Sequence, residues 1–217
     1  MTNTDYGVYL VTQGSVSSGR STRSVVEAAL RGGVDVVQLR EKDTSARERY
    51  ELGKRVREVT HEAGVPLIVN DRLDIARAID ADGIHVGDED LPIEVAREQL
   101  GPDAIIGRSV STPEAARAAV DAGADYLGVG AVYATGSKTV DPDEAEIGLE
   151  RIREIRDAVD VPFVGIGGIT PENAADVVRA GADGVAVISA ITAAENPEVA
   201  TRQLAAAVEA GRGRVDV

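Results

Sequence analysis

Cysteine and tryptophan are absent from this chain, and phenylalanine occurs once. Without cysteine there is no disulfide framework and no thiolate metal site. With aromatics at 3% of residues, a core has to be assembled from Ala, Val, Ile and Leu. No run of about 18 apolar residues occurs, which excludes a transmembrane helix. The opening Met1-Thr2-Asn3-Thr4-Asp5 has neither the basic start nor the apolar stretch of a signal peptide. The expectation is a cytoplasmic protein with no membrane partner. Positive charge is also scarce: 23 Lys and Arg against 37 Asp and Glu leave a net charge of -14. Nucleic acid needs a basic face, so none is expected as a partner. The acidity serves solubility in its plain reading and adaptation to a high-salt cytoplasm in its sharper one.

What is present is a strict alternation. At 217 residues the chain suits one large domain, and neither a linker nor a second domain interrupts 1–217. β-Branched runs predict strands at 7–12, 34–40, 66–70, 83–87, 105–110, 126–132, 163–168 and 184–189. Helical periodicity fills 22–31, 45–63, 71–79, 92–100, 112–122, 148–159, 171–180 and 196–210. Gly32-Gly33-Val34-Asp35, Ala122-Gly123-Ala124-Asp125 and Ala180-Gly181-Ala182-Asp183 each close a helix and open a strand, which marks an internal repeat. Ser111-Thr112-Pro113-Glu114 and Thr170-Pro171-Glu172 read as helix starts, a capping residue followed by proline. Eight such units predict an α/β fold of the (β/α)8 TIM-barrel type, with an open doubly wound sheet as the alternative.

Chemistry in a barrel sits at the carboxyl ends of its strands. The second strand ends in Gln38-Leu39-Arg40-Glu41-Lys42, three strong donors within five residues in a chain with only three lysines. The third gives Asn70-Asp71, the fourth Gly83-Ile84-His85-Val86-Gly87 and then Asp88-Glu89-Asp90, the fifth Arg108-Ser109. The sixth leads into Thr135-Gly136-Ser137-Lys138. The seventh ends in Gly165-Ile166-Gly167-Gly168-Ile169 and the eighth in Ile188-Ser189; together these predict a phosphate site of backbone amides and a short helical turn. Asp71 and Asp90 follow adjacent strands, so they are either the carboxylates of a Mg2+ site or caps of the third and fourth helices. His85 reads either as a hydrogen-bonded interior residue or as a catalyst, and His61 as a solvated one. The connection from Tyr133 to about Ile147 is long for a barrel, which predicts a lid that orders over substrate.

These six motifs, in this order, resemble the thiamine-phosphate synthase family over essentially the whole chain, from Tyr9-Leu10-Val11-Thr12 to the last helix. The resemblance implies a transferase that takes two phosphorylated small molecules. Diphosphate leaves a hydroxymethylpyrimidine diphosphate, through a pyrimidine carbocation, and the nitrogen of hydroxyethylthiazole phosphate attacks the methylene. It further implies that Gln38, Leu39, Arg40, Glu41, Lys42, Asn70, Ser109 and Lys138 hold the pyrimidine diphosphate. Thr135, Gly136, Ser137, Gly168, Ile188 and Ser189 would hold the thiazole phosphate, and Asp71 and Asp90 the Mg2+. Lys138, Ser109, Arg40 and Lys42 would carry the catalysis. Three residues depart from the family pattern: Asp88 stands for Gln, Ala131 for Pro and Ser137 for Thr. Asp88 adds negative charge beside the metal or merely faces solvent, Ala131 is expected to loosen its loop, and Ser137 keeps the hydroxyl. The rival readings are a thiazole tautomerase of the same fold, another phosphate-binding barrel enzyme, and a non-catalytic phosphate binder. A homo-oligomer is compatible with the sequence but not encoded in any motif.

Overall fold

A computed structural model describes residues 4–134 and 146–213. Eight strands, β1 (Val8–Val11), β2 (Val36–Leu39), β3 (Leu67–Asn70), β4 (Gly83–Val86), β5 (Ile105–Val110), β6 (Tyr126–Gly130), β7 (Phe163–Ile166) and β8 (Gly184–Val187), pair in sequence order. Every pairing is parallel, and β8 returns to β1 with Tyr9 opposite Ala186, so the sheet closes. The fold is the (β/α)8 barrel, not the open sheet. The helices are α1 (Thr22–Arg31), α2 (Ala46–Glu62), α3 (Leu73–Ala78), α4 (Ile93–Leu100), α5 (Pro113–Asp121), α6 (Gly148–Ala158), α7 (Ala174–Arg179), a short α8 (Ser189–Thr192) and α9 (Pro197–Gly211). Among the described residues, no helix is long and apolar enough to cross a membrane.

Strand alternation sorts the apolar residues into two cores. Outward positions such as Leu10, Val37, Leu39, Val69, Ile84, Ile106, Leu127 and Val185 pack beneath the helices, against Val26, Val56, Ile75, Ala96, Ile152, Val177 and Leu204. Inward positions form a smaller core of Tyr9, Val11, Val36, Ile68, Tyr126, Val164, Ala186 and Ile188. Side chains therefore fill the barrel, as closure with eight strands requires.

The helix starts follow local chemistry. Ser21, Ser45, Thr112 and Asn196 accept backbone N–H groups at the heads of α1, α2, α5 and α9, and Ser45 with Glu48 forms a reciprocal capping box. Thr170-Pro171-Glu172 departs from this pattern. Asn173 bonds back to the Thr170 N–H at 2.9 Å and to the Gly168 carbonyl at 3.1 Å, so regular helix begins only at Ala174. Asp71 and Asp90 do not cap these helices, since Arg72 and Pro92 stand at the cap positions before α3 and α4 and neither helix has a side-chain cap.

At the amino-terminal end of the barrel the internal repeat becomes a fourfold device. Asp35, Asp82, Asp125 and Asp183 each precede an even strand. Their carboxylates accept the N–H of Val8, Leu67, Ile106 and Phe163 in the preceding odd strand at 2.7–2.9 Å. The N–H of each aspartate donates to the carbonyl of that same residue, which closes a ring of two bonds. Arg57, Arg97 and Arg156 pair with the last three carboxylates. The repeat legible in sequence contained three of the four; Asp82, in Asp80-Ala81-Asp82-Gly83, completes it.

Candidate active site

The carboxyl ends of the strands face one cavity. Its wall includes Tyr9, Val11, Gln38, Arg40, Asn70, His85, Ser109, Val164, Ile166 and Ala186. Gln38, Arg40, Asn70 and His85 are polar yet only 4–8% exposed, and burial on that scale demands partners. Gln38 Nε2 donates to the Tyr9 hydroxyl at 2.8 Å, and Tyr9 and Tyr126 share a hydrogen bond of 2.7 Å. His85 meets Tyr126 through Nδ1 and Ser109 Oγ through Nε2, each at 2.9 Å. Burial pushes both tyrosine hydroxyls well above their ordinary pKa, so they stay protonated. The rings fit because β5 and β6 place glycine beside them. A Cβ at Gly107 would lie 2.2 Å from Tyr126 Cζ and 2.5 Å from His85 Nδ1, and one at Gly128 would lie 3.0 Å from His85 Cε1.

The rim above this layer is charged. Arg40 donates to Gln13 Oε1 at 2.5 Å, and burial lowers its pKa against the pull of Asp71, Asp43 and Glu41. Asn70 Nδ2 is buried and has no hydrogen-bond partner among the described residues. Lys42 Nζ lies 3.1 Å from Asp71 Oδ2. Asp71 adopts a left-handed φ of 62°, a conformation Asp tolerates better than most residues. Asp90 accepts the Gly87 N–H at 2.7 Å. Burial raises its pKa, the adjoining Asp71 carboxyl raises it further, and Lys42 pulls the other way. The two carboxyl groups are thus neighbours on the rim. Asp88 pairs with Arg108 at 2.5 Å, with its side chain otherwise open to solvent.

Alternation divides the Gln38–Lys42 segment. Gln38 and Arg40 face the cavity, whereas Leu39 is wholly buried in the outer core. Both Glu41 carboxylate oxygens are engaged away from the cavity, by the Gly14 N–H and the Thr22 hydroxyl at 2.8 Å each. The Glu41 carbonyl accepts from the buried Arg49 at 2.6 Å. Glu41 thus ties the loop that carries Lys42 to the β1–α1 loop.

At the β7 end Gly167 and Gly168 take φ of 105° and 63°. A Cβ on Gly168 would stand 2.6 Å from the Ala134 carbonyl oxygen and 2.8 Å from Tyr133 Cβ. The stem after β6 is held on both sides, with Tyr133 N–H on the Gly167 carbonyl and Ile147 N–H on the Ala131 carbonyl. Ile188 is buried, and Ser189 opens α8. Thr135, Gly136, Ser137 and Lys138, and most of the expected lid, lie outside the described residues. Tyr9 and Tyr126 were missed as site residues. The available signal was two of only five tyrosines at inward strand positions, beside glycines that clear space for them.

The family model described as thiamine monophosphate synthase matches residues 8–191. A thiamine-phosphate synthase of Natronomonas pharaonis is 72% identical over 94% of this chain and 96% of its own. One of Haloquadratum walsbyi is 61% identical over 95% and 93%. The solved thiamine phosphate pyrophosphorylase of Pyrococcus furiosus is 42% identical, superposes with a TM-score of 0.87, and covers 96% of this chain and 98% of that one. The chain belongs to the thiamine monophosphate synthase family and is a transferase of thiamine biosynthesis.

Proposed function

We propose that this chain joins 4-amino-2-methyl-5-hydroxymethylpyrimidine diphosphate to hydroxyethylthiazole phosphate in the cytoplasm, releasing thiamine phosphate and diphosphate. The observation that carries the reading is the layered cavity. A neutral floor of Gln38, Ser109 and apolar strand residues suits a pyrimidine ring, and a charged rim of Arg40, Lys42, Asp71 and Asp90 suits a metal-bound diphosphate. The buried amide of Asn70, which has no partner among the described residues, supplies a donor at their boundary, where a ligand oxygen would satisfy it.

Asp71 and Asp90 fit Mg2+, which takes one or two carboxylates and completes its shell with water and phosphate oxygens. Among the described residues no group of three ligating side chains exists, so this mode suits the site better than an all-protein cage. When bound, Mg2+ supplies charge neutralisation to the diphosphate. Arg40 and Lys42 stabilise the charge that grows on the departing group, and Lys138 is assigned the same role. Val11, Val164, Ile166 and Ala186 keep water from the methylene as its C–O bond breaks. The thiazole nitrogen attacks with its own lone pair, so no general base is required. Gly168, Ile188 and Ser189, with Thr135, Gly136 and Ser137, are assigned to the thiazole phosphate. Incubating the protein with both precursors and Mg2+ tests the reading: thiamine phosphate and diphosphate should appear in equal amounts. Formation of neither, with folded protein, overturns it.

A further inference from the structure

Tyr9, Tyr126 and His85 are buried, carry exchangeable protons, and have no part in bond making or breaking. They form an unbroken chain from Gln38 on β2 across the barrel to Ser109 on β5. We propose that this chain is a one-directional hydrogen-bond relay that makes Gln38 an acceptor and Ser109 a donor toward the ligand, and so selects an aminopyrimidine over its oxo counterpart. The inference rests on the reading of the substrate as a pyrimidine.

With the His85 ring neutral, the direction follows from counting protons. The Gln38 amide nitrogen can only donate, so the Tyr9 oxygen receives. The single Tyr9 hydrogen then goes to Tyr126, 2.7 Å away. The Tyr126 hydrogen goes on to His85 Nδ1. A neutral imidazole that accepts at Nδ1 holds its proton on Nε2, and Ser109 Oγ is the group 2.9 Å from it. Ser109 has accepted, and its own hydrogen is left for the cavity. At the far end one Gln38 N–H is consumed by Tyr9, which turns Oε1 to the cavity. An exocyclic amino group donates to Gln38 Oε1 and a ring nitrogen accepts from Ser109. A 4-oxo ring with a protonated nitrogen presents an acceptor to an acceptor and a donor to a donor, and mismatched buried polar groups of this kind discriminate strongly. The relay is rigid because Tyr126 also stacks on Tyr6 at 4.9 Å. Substituting Gly107 would drive a Cβ into both the Tyr126 and His85 rings. Tyr9, Tyr126 and His85 are thus positioning residues, acting through Gln38 and Ser109.

The chain contains two histidines, so nitrogen NMR reads the His85 ring directly, with His61→Gln to assign it. The free protein should hold His85 as the Nε2–H tautomer; the Nδ1–H form would overturn the relay without touching the reaction assignment. Equilibrium binding of 4-amino-5-hydroxymethyl-2-methylpyrimidine and its 4-oxo analogue gives the second measurement. We expect a preference for the amino form of at least about tenfold, equivalent to about 1.4 kcal/mol. In Tyr126→Phe and Tyr9→Phe the preference should fall below about threefold, because Gln38 can then turn its NH2 to the cavity. A role in packing alone would lower stability and leave the ratio intact, and that result, or no preference in the parent protein, sinks the proposal. Should both variants fail to fold, the tautomer and the parent preference still decide. If the protein makes no thiamine phosphate yet shows the tautomer and the preference, the reaction assignment fails and the relay stands.

Discussion

Asp71 concentrates the site's electrostatics in one side chain. It pairs with Lys42, crowds Asp90, and sits at a left-handed φ. Asn tolerates that φ at least as well as Asp, so Asp71→Asn removes charge without forcing the backbone. Its melting temperature should stay within a few degrees of the parent. Turnover at limiting Mg2+ should fall more than about tenfold, over 1.4 kcal/mol of transition-state stabilisation, with partial recovery as Mg2+ is raised. Full activity at limiting Mg2+ would remove Asp71 from the metal site. Glu41 makes the opposite case at this scale. It lies within the segment read as binding the diphosphate, yet its carboxylate holds Gly14 and Thr22. Sequence marks which residues carry charge; which face of the strand each occupies, and which neighbour takes it up, depends on register.

Between elements, the aspartates at the amino-terminal end carry two predictions. Asp82→Ala strips the Leu67 N–H of its acceptor and Arg57 of its partner, which should cost about 1–3 kcal/mol in denaturant melts. Asp82→Asn keeps an oxygen for the N–H and should cost less. Asp35 behaves differently. Burial raises its carboxyl pKa, and Asp5 and Glu209 add to the rise against the Val8 N–H and Arg212. A raised folded value means that this group favours folding fully below its unfolded pKa of about 3.9. That contribution is lost as pH climbs through the folded value, so the ionised carboxylate disfavours the fold at pH 7. Asp35→Asn should melt above the parent at pH 7, with the gap closing as pH falls toward about 4; a lower melting temperature at pH 7 would refute the sign. At the other end of the barrel, Gly168→Ala places a Cβ against Ala134 and Tyr133 and strains the left-handed φ. It should displace the stem after β6 and raise the KM for thiazole phosphate more than that for the pyrimidine, which steady-state kinetics with each substrate varied will check.

For the molecule as a whole, a net charge of -14 acts on every part of the fold. Most of the ion pairs are exposed or separated by three or four residues on one helix, such as Arg23–Glu27 and Arg153–Glu150, and pairs of that kind contribute little. Self-repulsion outweighs them, and about 1 M salt cuts the screening length to about 3 Å. The melting temperature should therefore rise with KCl up to about 2 M. A flat or falling curve would mean that the pairs, not the net charge, dominate, and would end the high-salt reading.

The sequence alone determined the eight strands and favoured the barrel over the open sheet, which the pairing of β8 with β1 then ruled out. Hydrophobic period, glycine stops and capping residues are local signals, and eight βα units leave few other ways to bury both faces of a parallel sheet. It also marked the strand ends expected to carry chemistry, because Gln38, Asn70 and Ser109 lie at the ends of strands and Arg40, Lys42, Asp71 and Asp90 follow them. Only the tertiary structure decided how these groups meet. Asp71 and Asp90 are brought together by strand adjacency, and Glu41 is turned away by a backbone of positive φ. The Tyr9–Tyr126–His85 chain links residues up to 117 positions apart. No periodicity encodes a hydrogen bond across a barrel; it exists because closure places β1, β4 and β6 around one axis, with glycines on β5 and β6 leaving room for the rings.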